Sequence, residues 1–367
     1  MTTQPELCVL CVSVYPAEAP SVYHRVTAYQ ADLQARGIRL EVEGLITSNL
    51  FRDRRHRGSW ASLRKAAMFA YCCLVRLPAL LTKVRRYDAI IIQREVFPLG
   101  KPWVERLICS LNPNVVYDLD DAIWFAPSNS VNQRKRFWYA DRVGELIAMS
   151  RRIVVGNRFL ADYALQFHRE VHILPTGYDD LGGWRPKSND VPIIVWIGNL
   201  GNACYLQELI PVFRKLAERY PFKLRLIGGD DIFDLPMQGI PVEYLRWQRD
   251  AEAEWLSTSD IGIMPLWDMP YEKGKCAFKL IQYFSAGLPV VASPVGINRE
   301  LILAENGYLT QSGADWENAL SQLVESGELR ATLGKNNYRL YQTRYAREVI
   351  GQAWYGHLIA AASGKDR

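Results

Sequence analysis

The sequence predicts an α/β protein of two doubly wound domains, and three observations predict it. Short apolar runs alternate with helix-period segments, the rhythm of parallel strands joined by helical crossovers. That alternation occurs twice, on either side of a stretch from Pro175 to Pro192 that carries Gly177, Gly182, Gly183, Pro186, Ser188 and Asn189, a linker composition. A chain of 367 residues, 49% of them hydrophobic, is also longer than one hydrophobic core usually organises. The expected division is an N-terminal Rossmann-like domain over 1–178, a linker over 179–190, a C-terminal domain over 191–335, and a helical segment over 336–367 packing back toward the first domain.

In the first domain, strands are expected at 7–14, 39–45, 89–93, 115–118, 153–156 and 171–174. Helices are expected at 22–36, near 103–111 and at 158–167. The second domain repeats the pattern, with strands at 193–197, 223–227, 242–245, 261–264 and 289–292. Its helices fall at 205–219, 251–258 and 278–286, and the tail from 316 to 362 contains no strand pattern.

Composition excludes disorder, collagen and coiled coil. No uninterrupted apolar run reaches the ~18 residues needed to span a bilayer, because the longest candidate, 66–81, is broken by Arg76 and Pro78. Residues 1–6 lack the basic start of a secretory signal, so the expected location is the cytoplasm. The seven cysteines show no zinc spacing and are expected as reduced, mostly buried thiols. Net charge is +5, but between Arg52 and Arg86 ten Lys or Arg residues and His56 face a single acid, Asp53. This stretch alternates cations with Trp60, Leu63, Met68, Phe69, Leu74 and Leu77. It fits peripheral contact with an anionic membrane, or a helix packed on its own sheet. Nucleic acid is not an expected partner, since aromatics do not recur with the cations and no binding motif occurs.

In open parallel sheets, ligands lie beyond the carboxyl ends of the strands. After the strand 193–197 comes Gly198-Asn199-Leu200-Gly201-Asn202 and then a helix. Its amides suit a phosphate, although an ordinary strand-to-helix turn reads the same way. The segment from Asp260 to Gly296 is more informative. A strand gives way to a Pro-rich loop carrying Glu272, Lys273, Lys275 and Lys279, at the start of a helix, where lysines oppose the dipole unless an anion lies between them. In the first domain, Asp118, Asp120 and Asp121 cluster after a strand beside Trp124 and Phe125. Such a group calls for a cation, Mg²⁺ being one reading, or for ligand hydroxyls. Arg25 follows the loop after the first strand and is expected to point into the cleft at the start of a helix, or to be a salt-bridged surface residue.

Taken in order, the run from Lys275 to Glu300, the preceding Asp260 to Pro265, Gly198 after a strand, Val22 to Val26, Gln93-Arg94-Glu95, Val116 to Asp121 and Leu174 to Asp179 resemble GT-B-fold glycosyltransferases of family 4. The resemblance covers nearly the whole chain. It implies transfer of a sugar from a nucleoside-diphosphate-sugar to an acceptor hydroxyl, with retention and without a metal cofactor, on a glycan or lipid-linked acceptor of cell-envelope or surface-glycan synthesis. Donor contacts would come from Gly198, Asn199, Asn202, Trp247, Glu272, Lys275, Lys279 and Gln282. Trp247 falls where the nucleobase is usually met, though a core Trp is the other reading. Lys275 would act on the leaving diphosphate, and Asp120 or Asp121 on the acceptor hydroxyl, with Asp118 and Arg25 beside them.

The departures from that pattern are specific. Many members carry two glutamates eight positions apart, but here the first falls on Gly274 and the second on Gln282, which keeps hydrogen bonding to a ribose without the charge. Glu272 stands in reach of the missing first position. The Arg and Lys that often follow the Gly198 position are absent, leaving Lys275 and Lys279 to neutralise the diphosphate. Two other activities fit the same fold: a nucleotide-sugar epimerase, and a non-catalytic nucleotide-sugar-binding protein.

Overall fold

The computed structural model describes residues 7–53, 59–128, 140–187, 189–198 and 201–363. It resolves into two compact units. Unit 1 comprises 1–126, 132–177 and 348–367, and unit 2 comprises 127–131 and 178–347.

Unit 1 is built on a parallel sheet of six strands: β1 (Leu7–Ser13), β2 (Ile38–Gly44), β3 (Ala89–Gln93), β4 (Val115–Leu119), β5 (Arg152–Val155) and β6 (Val171–Ile173). Their spatial order is β2-β1-β3-β4-β5-β6. Every ladder is parallel, beginning with Leu7 opposite Ile38 and Val9 opposite Ala89. The strands β3 and β4 are buried at every position, as strands covered by helices on both faces must be. The helix expected over 22–36 is broken into Pro20–Arg25, a 3₁₀ turn at Thr27–Tyr29, and Gln30–Ala35, with Val26 out of helical geometry between them.

The core of unit 1 is closed by the last helix, Arg347–Ser363. Its Ile350, Trp354, Leu358 and Ala361 pack with Val9, Tyr29, Ile91 and Val116. The helical segment expected to return from 336 onward is therefore divided. The helix Gly327–Arg344 packs in unit 2 against the helix Phe278–Ser285 through Tyr338 and Tyr341, and only the residues from 348 join unit 1.

Unit 2 holds a second parallel sheet: β7 (Ile193–Ile197), β8 (Lys223–Gly228), β9 (Val242–Arg246), β10 (Ile261–Met264), β11 (Val290–Ala292) and β12 (Gly307–Leu309). The order is β12-β11-β10-β7-β8-β9. Apolar clusters cover both faces, one around Phe213, Leu224 and Leu320, the other around Val195, Tyr283 and Phe284. Three-residue β12 escaped the sequence reading because it is too short to show alternation.

Among the described residues, the helical run Leu63–Val84 is long and apolar enough to cross a membrane, with 22% of its apolar window buried. Arg76 and Pro78 do not break it as expected. A single π turn at Cys72–Arg76 lets the helix continue into Leu77–Val84, with Pro78 in the first turn of that second part, where its missing N–H is tolerated. Arg76 is drawn aside to the Gly44 carbonyl at 2.8 Å and to Glu43 at 3.6 Å. Three cysteines, Cys11, Cys72 and Cys276, are buried and the other four are partly exposed, so fewer are buried than expected.

Candidate functional site

In unit 2 the strand order reverses between β7 and β10, and the chains leaving their carboxyl ends diverge there. From β7 comes Gly198. A Cβ on it would lie 2.3 Å from the Trp196 ring, so this glycine makes room for a core indole that is itself 1% exposed. Asn199 lies outside the described residues. Gly201, at φ +90°, turns the chain into the 3₁₀ helix Ala203–Leu209, which Asn202 caps without a side-chain hydrogen bond. The amides expected to receive a phosphate are engaged by a carboxylate of the protein: Asp231 accepts from Gly201 N–H at 2.7 Å and from Ala203 N–H at 3.4 Å.

From β10 the chain runs through Pro270–Lys273 to Ala277, whose φ of 50° is a left-handed conformation rare for a residue with a Cβ, and into the helix Phe278–Ser285. This strained residue separates the two lysines singled out by sequence. Lys275 Nζ lies 4.8 Å from the centre of the Tyr271 ring and 6.0 Å from that of Tyr205. Lys279 Nζ lies 5.5 Å from the Trp196 ring. Burial, and then the neighbouring Lys275 charge, pull the Lys279 ammonium down to about 7. Among the described residues no carboxylate pairs with Lys279, in contrast to Lys273, which meets Asp268 at 3.2 Å.

Glu272 is 1% exposed and accepts one hydroxyl at each oxygen, from Tyr205 at 2.5 Å and from Ser128 at 2.7 Å. Burial, reinforced by this carboxylate, pushes the Tyr205 hydroxyl well above its ordinary range, so it stays a donor. Tyr205 and Ser128 carried no sequence signal.

A second hub gathers around Glu252, on the helix Arg249–Ser257. Gln282 Nε2 donates to it at 2.7 Å, and the Tyr178 hydroxyl and the Trp247 indole N–H donate as well. Burial, followed by Glu252, raises the Tyr178 hydroxyl far above its usual range. Gln282 is 4% exposed, whereas the Trp247 side is 40% exposed. The core reading of Trp247 is thus overturned: its ring faces solvent while its N–H is turned inward. Glu252 went unnoticed among the acids of its helix, although Leu256, four residues on and fully buried, marks the inward face.

In unit 1 the same kind of sheet edge is charge-compensated. Arg25 and Asp118, expected on the acceptor side, are 1% and 0% exposed and close on each other through two contacts, at 3.2 Å and 2.5 Å. Arg25 also donates to the Leu174 carbonyl at 2.8 Å and to Thr176 at 3.3 Å, and lies 5.9 Å from the Trp354 ring. Burial raises the Asp118 carboxyl while Arg25 holds it down, the net being upward. A pair sealed in this way presents no atom to an acceptor, so its role is structural.

Asp120 and Asp121 lie beyond β4, near the β1–β3 reversal. Arg94, itself left-handed at φ 60°, donates to both oxygens of Asp120, at 2.5 Å and 3.0 Å, and to Asp121 at 3.5 Å. Gln93 adds a bond to Asp120 at 3.1 Å and receives one from Ser13 at 3.2 Å. The cation that this carboxylate cluster called for is a guanidinium.

Residues 191–326 match the family model described as Glycosyl transferases group 1. No curated protein sequence matches the chain. Solved structures do: sucrose-phosphate synthase from Thermosynechococcus elongatus shares 15% identity at a TM-score of 0.69, covering 97% of this chain and 100% of that one. HepE of Anabaena in complex with UDP and glucose shares 15% at 0.65, with 96% and 100% covered. A glycosyltransferase from Rickettsia africae shares 12% at 0.68, with 99% and 100% covered. The two doubly wound units are those of the GT-B fold, and residues 191–326 form a glycosyl transferases group 1 domain.

Proposed function

We propose that this glycosyltransferase moves a sugar from a nucleoside-diphosphate-sugar to an acceptor hydroxyl with retention, as in family 4, in the cytoplasm and in the synthesis of an envelope or surface glycan. The observation that carries the donor reading is the pair Lys275 and Lys279. Two like charges beside three aromatic rings, one of them without a carboxylate partner among the described residues and lowered to about 7, are stabilised when an anion joins them. A diphosphate is such an anion, and HepE, of the same fold, has been crystallised with UDP.

As the bond from the anomeric carbon to the diphosphate breaks, positive charge grows on the sugar and negative charge on the leaving oxygen. Fixed ammonium groups lower that barrier because they are already oriented. Lys275 and Lys279 supply this charge without a metal cofactor. The Gly201 and Ala203 amides join them once Asp231 yields its place. Glu272 stands at the sugar, and Gln282, held by Glu252, at the ribose. Trp247, exposed and anchored at its N–H, offers a face to the base. On the acceptor, Asp120 and Asp121 orient the hydroxyl.

A thermal-shift panel of UDP-, GDP-, dTDP- and ADP-sugars tests the donor. The cognate one at a hundred times its Kd stabilises the fold by about 2.7 kcal/mol. Lys275→Ala lowers turnover by ~10²-fold or more if the ammonium touches the developing charge. Equal turnover by the folded variant removes Lys275 from the reaction.

A further inference from the structure

A helix on the surface of a soluble domain turns polar residues outward, but the run Leu63–Val84 does the reverse. Cys72, Leu77, Leu80 and Val84 are its buried side. Outward lie Leu63 at 65%, Tyr71 at 55%, Leu74 at 76% and Val75 at 50% exposure. No charged residue occurs from Ala66 to Val75. Cations stand at both ends, with Arg64 and Lys65 before this stretch and the exposed Arg85 and Arg86 after the helix. An open cavity of about 360 Å³, lined by Asn49, Arg52, Arg64 and Met68, lies at the first end.

The apolar surface does not stop with this helix. Phe69 stacks on Phe97 at 6.2 Å, and Phe97 meets Trp103 edge-on at 5.2 Å. Beside them Leu99, Trp103 and Leu107 are exposed by 46%, 51% and 39%, and Lys101 is exposed between the first two. Two stretches more than twenty residues apart in sequence thus meet through Phe69 and Phe97, and each bears exposed apolar residues beside cations.

We infer that unit 1 docks on an anionic lipid bilayer through this composite face, with Leu63, Leu74 and Trp103 entering the interfacial layer and the flanking arginines meeting lipid phosphates. Charge complementarity selects the occupant: a scattered apolar surface ringed by cations matches a negatively charged headgroup plane. The helix lies along the membrane rather than crossing it. Its inner side belongs to the unit 1 core, and Lys83 is tied to Glu41 at 2.8 Å and to Glu43, so lipid cannot surround it while the unit is folded. The face stands on unit 1 alone and is independent of the donor assignment.

The test is co-sedimentation of the full chain with vesicles of phosphatidylcholine, alone or mixed with phosphatidylglycerol. The expected result is pelleting with the mixed vesicles only, weakened by added salt. Leu63→Glu/Leu74→Glu should lower partitioning by about tenfold or more, and Trp103→Ala by severalfold, because each removes apolar area that enters the layer. All three positions are exposed, and unchanged melting of the variants establishes that they fold. Absence of wild-type pelleting overturns the inference, as does unchanged pelleting of the double variant. A wild-type dimer in light scattering that Leu74→Glu dissociates, with no vesicle binding, would assign the face to a second copy instead. The nucleotide-sugar panel applied to Leu63→Glu/Leu74→Glu should still find its donor, so loss of lipid binding and loss of donor binding are read separately.

Discussion

The carboxyl edges of the two sheets bear charged residues of similar density and opposite status. In unit 1, Arg25 is matched by Asp118 and Arg94 by Asp120, each in a two-pronged contact. In unit 2, Lys279 sits beside Lys275 with no described carboxylate to pair it, at the price of a lowered proton affinity. A buried ion pair whose members satisfy each other is part of the scaffold, whereas like charges held together gain stability when an anion joins them. Sequence alone flagged Arg25 with Asp118 and Lys275 with Lys279 as functional, and the partnering separates those two sets, whereas Arg94 and Asp120 keep 21% and 12% of their side chains exposed and are not sealed into the scaffold.

The comparison breaks most visibly through Asp118→Ala. It leaves the Arg25 guanidinium buried without its counter-ion, and unfolding should show unit 1 destabilised by about 3–5 kcal/mol. Binding of whichever nucleotide-sugar the thermal-shift panel selects, measured by calorimetry, should be retained. A loss of stability below about 1 kcal/mol would mean that the pair is not structural.

Lys279→Met should do the opposite. Removing a desolvated cation leaves melting unchanged or higher, while turnover falls by ~10²-fold, about 2.7 kcal/mol. Full activity in this variant would return Lys279 to the scaffold. Gly198→Ala sharpens the boundary between the two roles. The added methyl meets the Trp196 ring, and a cost of about 1–3 kcal/mol in denaturant unfolding is expected from overpacking alone.

The remaining test is in pH. The Lys279 ammonium titrates near 7 when folded and at 10.5 as a free side chain. Between those values the unfolded chain holds more protons, so stability without ligand rises with pH from about 7 to about 10 through this residue. The difference in melting temperature between wild type and Lys279→Met should therefore shift in favour of wild type across that window. Donor affinity should fall over the same range, because a diphosphate selects the charged ammonium. A flat difference curve would show that Lys279 is charged throughout.

The strands were legible because both faces of each sheet are covered, which leaves continuous apolar runs such as Ala89–Gln93 and Ile193–Ile197. Their spatial order was not, since nothing in an apolar run names its neighbour. Lys275 and Lys279 could be picked out by type and by their place at a helix start. Glu252 could not, because its importance lies in three donors drawn from 178, 247 and 282. Asp118 misled for the same reason. Its partner stands ninety-three residues away, and only the fold shows that its charge is already answered. The boundary set at 178, with a linker over 179–190, likewise missed that Tyr178 and Asp180 are bonded into unit 2, Asp180 accepting from Tyr338 at 2.6 Å.

The return of Trp354 and Leu358 to the core of unit 1 bears on how the chain is made. On a ribosome, the first six strands emerge long before the helix that covers them, and everything from Tyr178 to Arg347 must be synthesised in between. At about 5–20 residues per second that is a wait of roughly ten to thirty seconds. During it the nascent first half carries an open apolar groove, so unit 2 has the opportunity to mature first although it is translated second. Chaperone dependence during synthesis should accordingly fall on the opening half of the polypeptide.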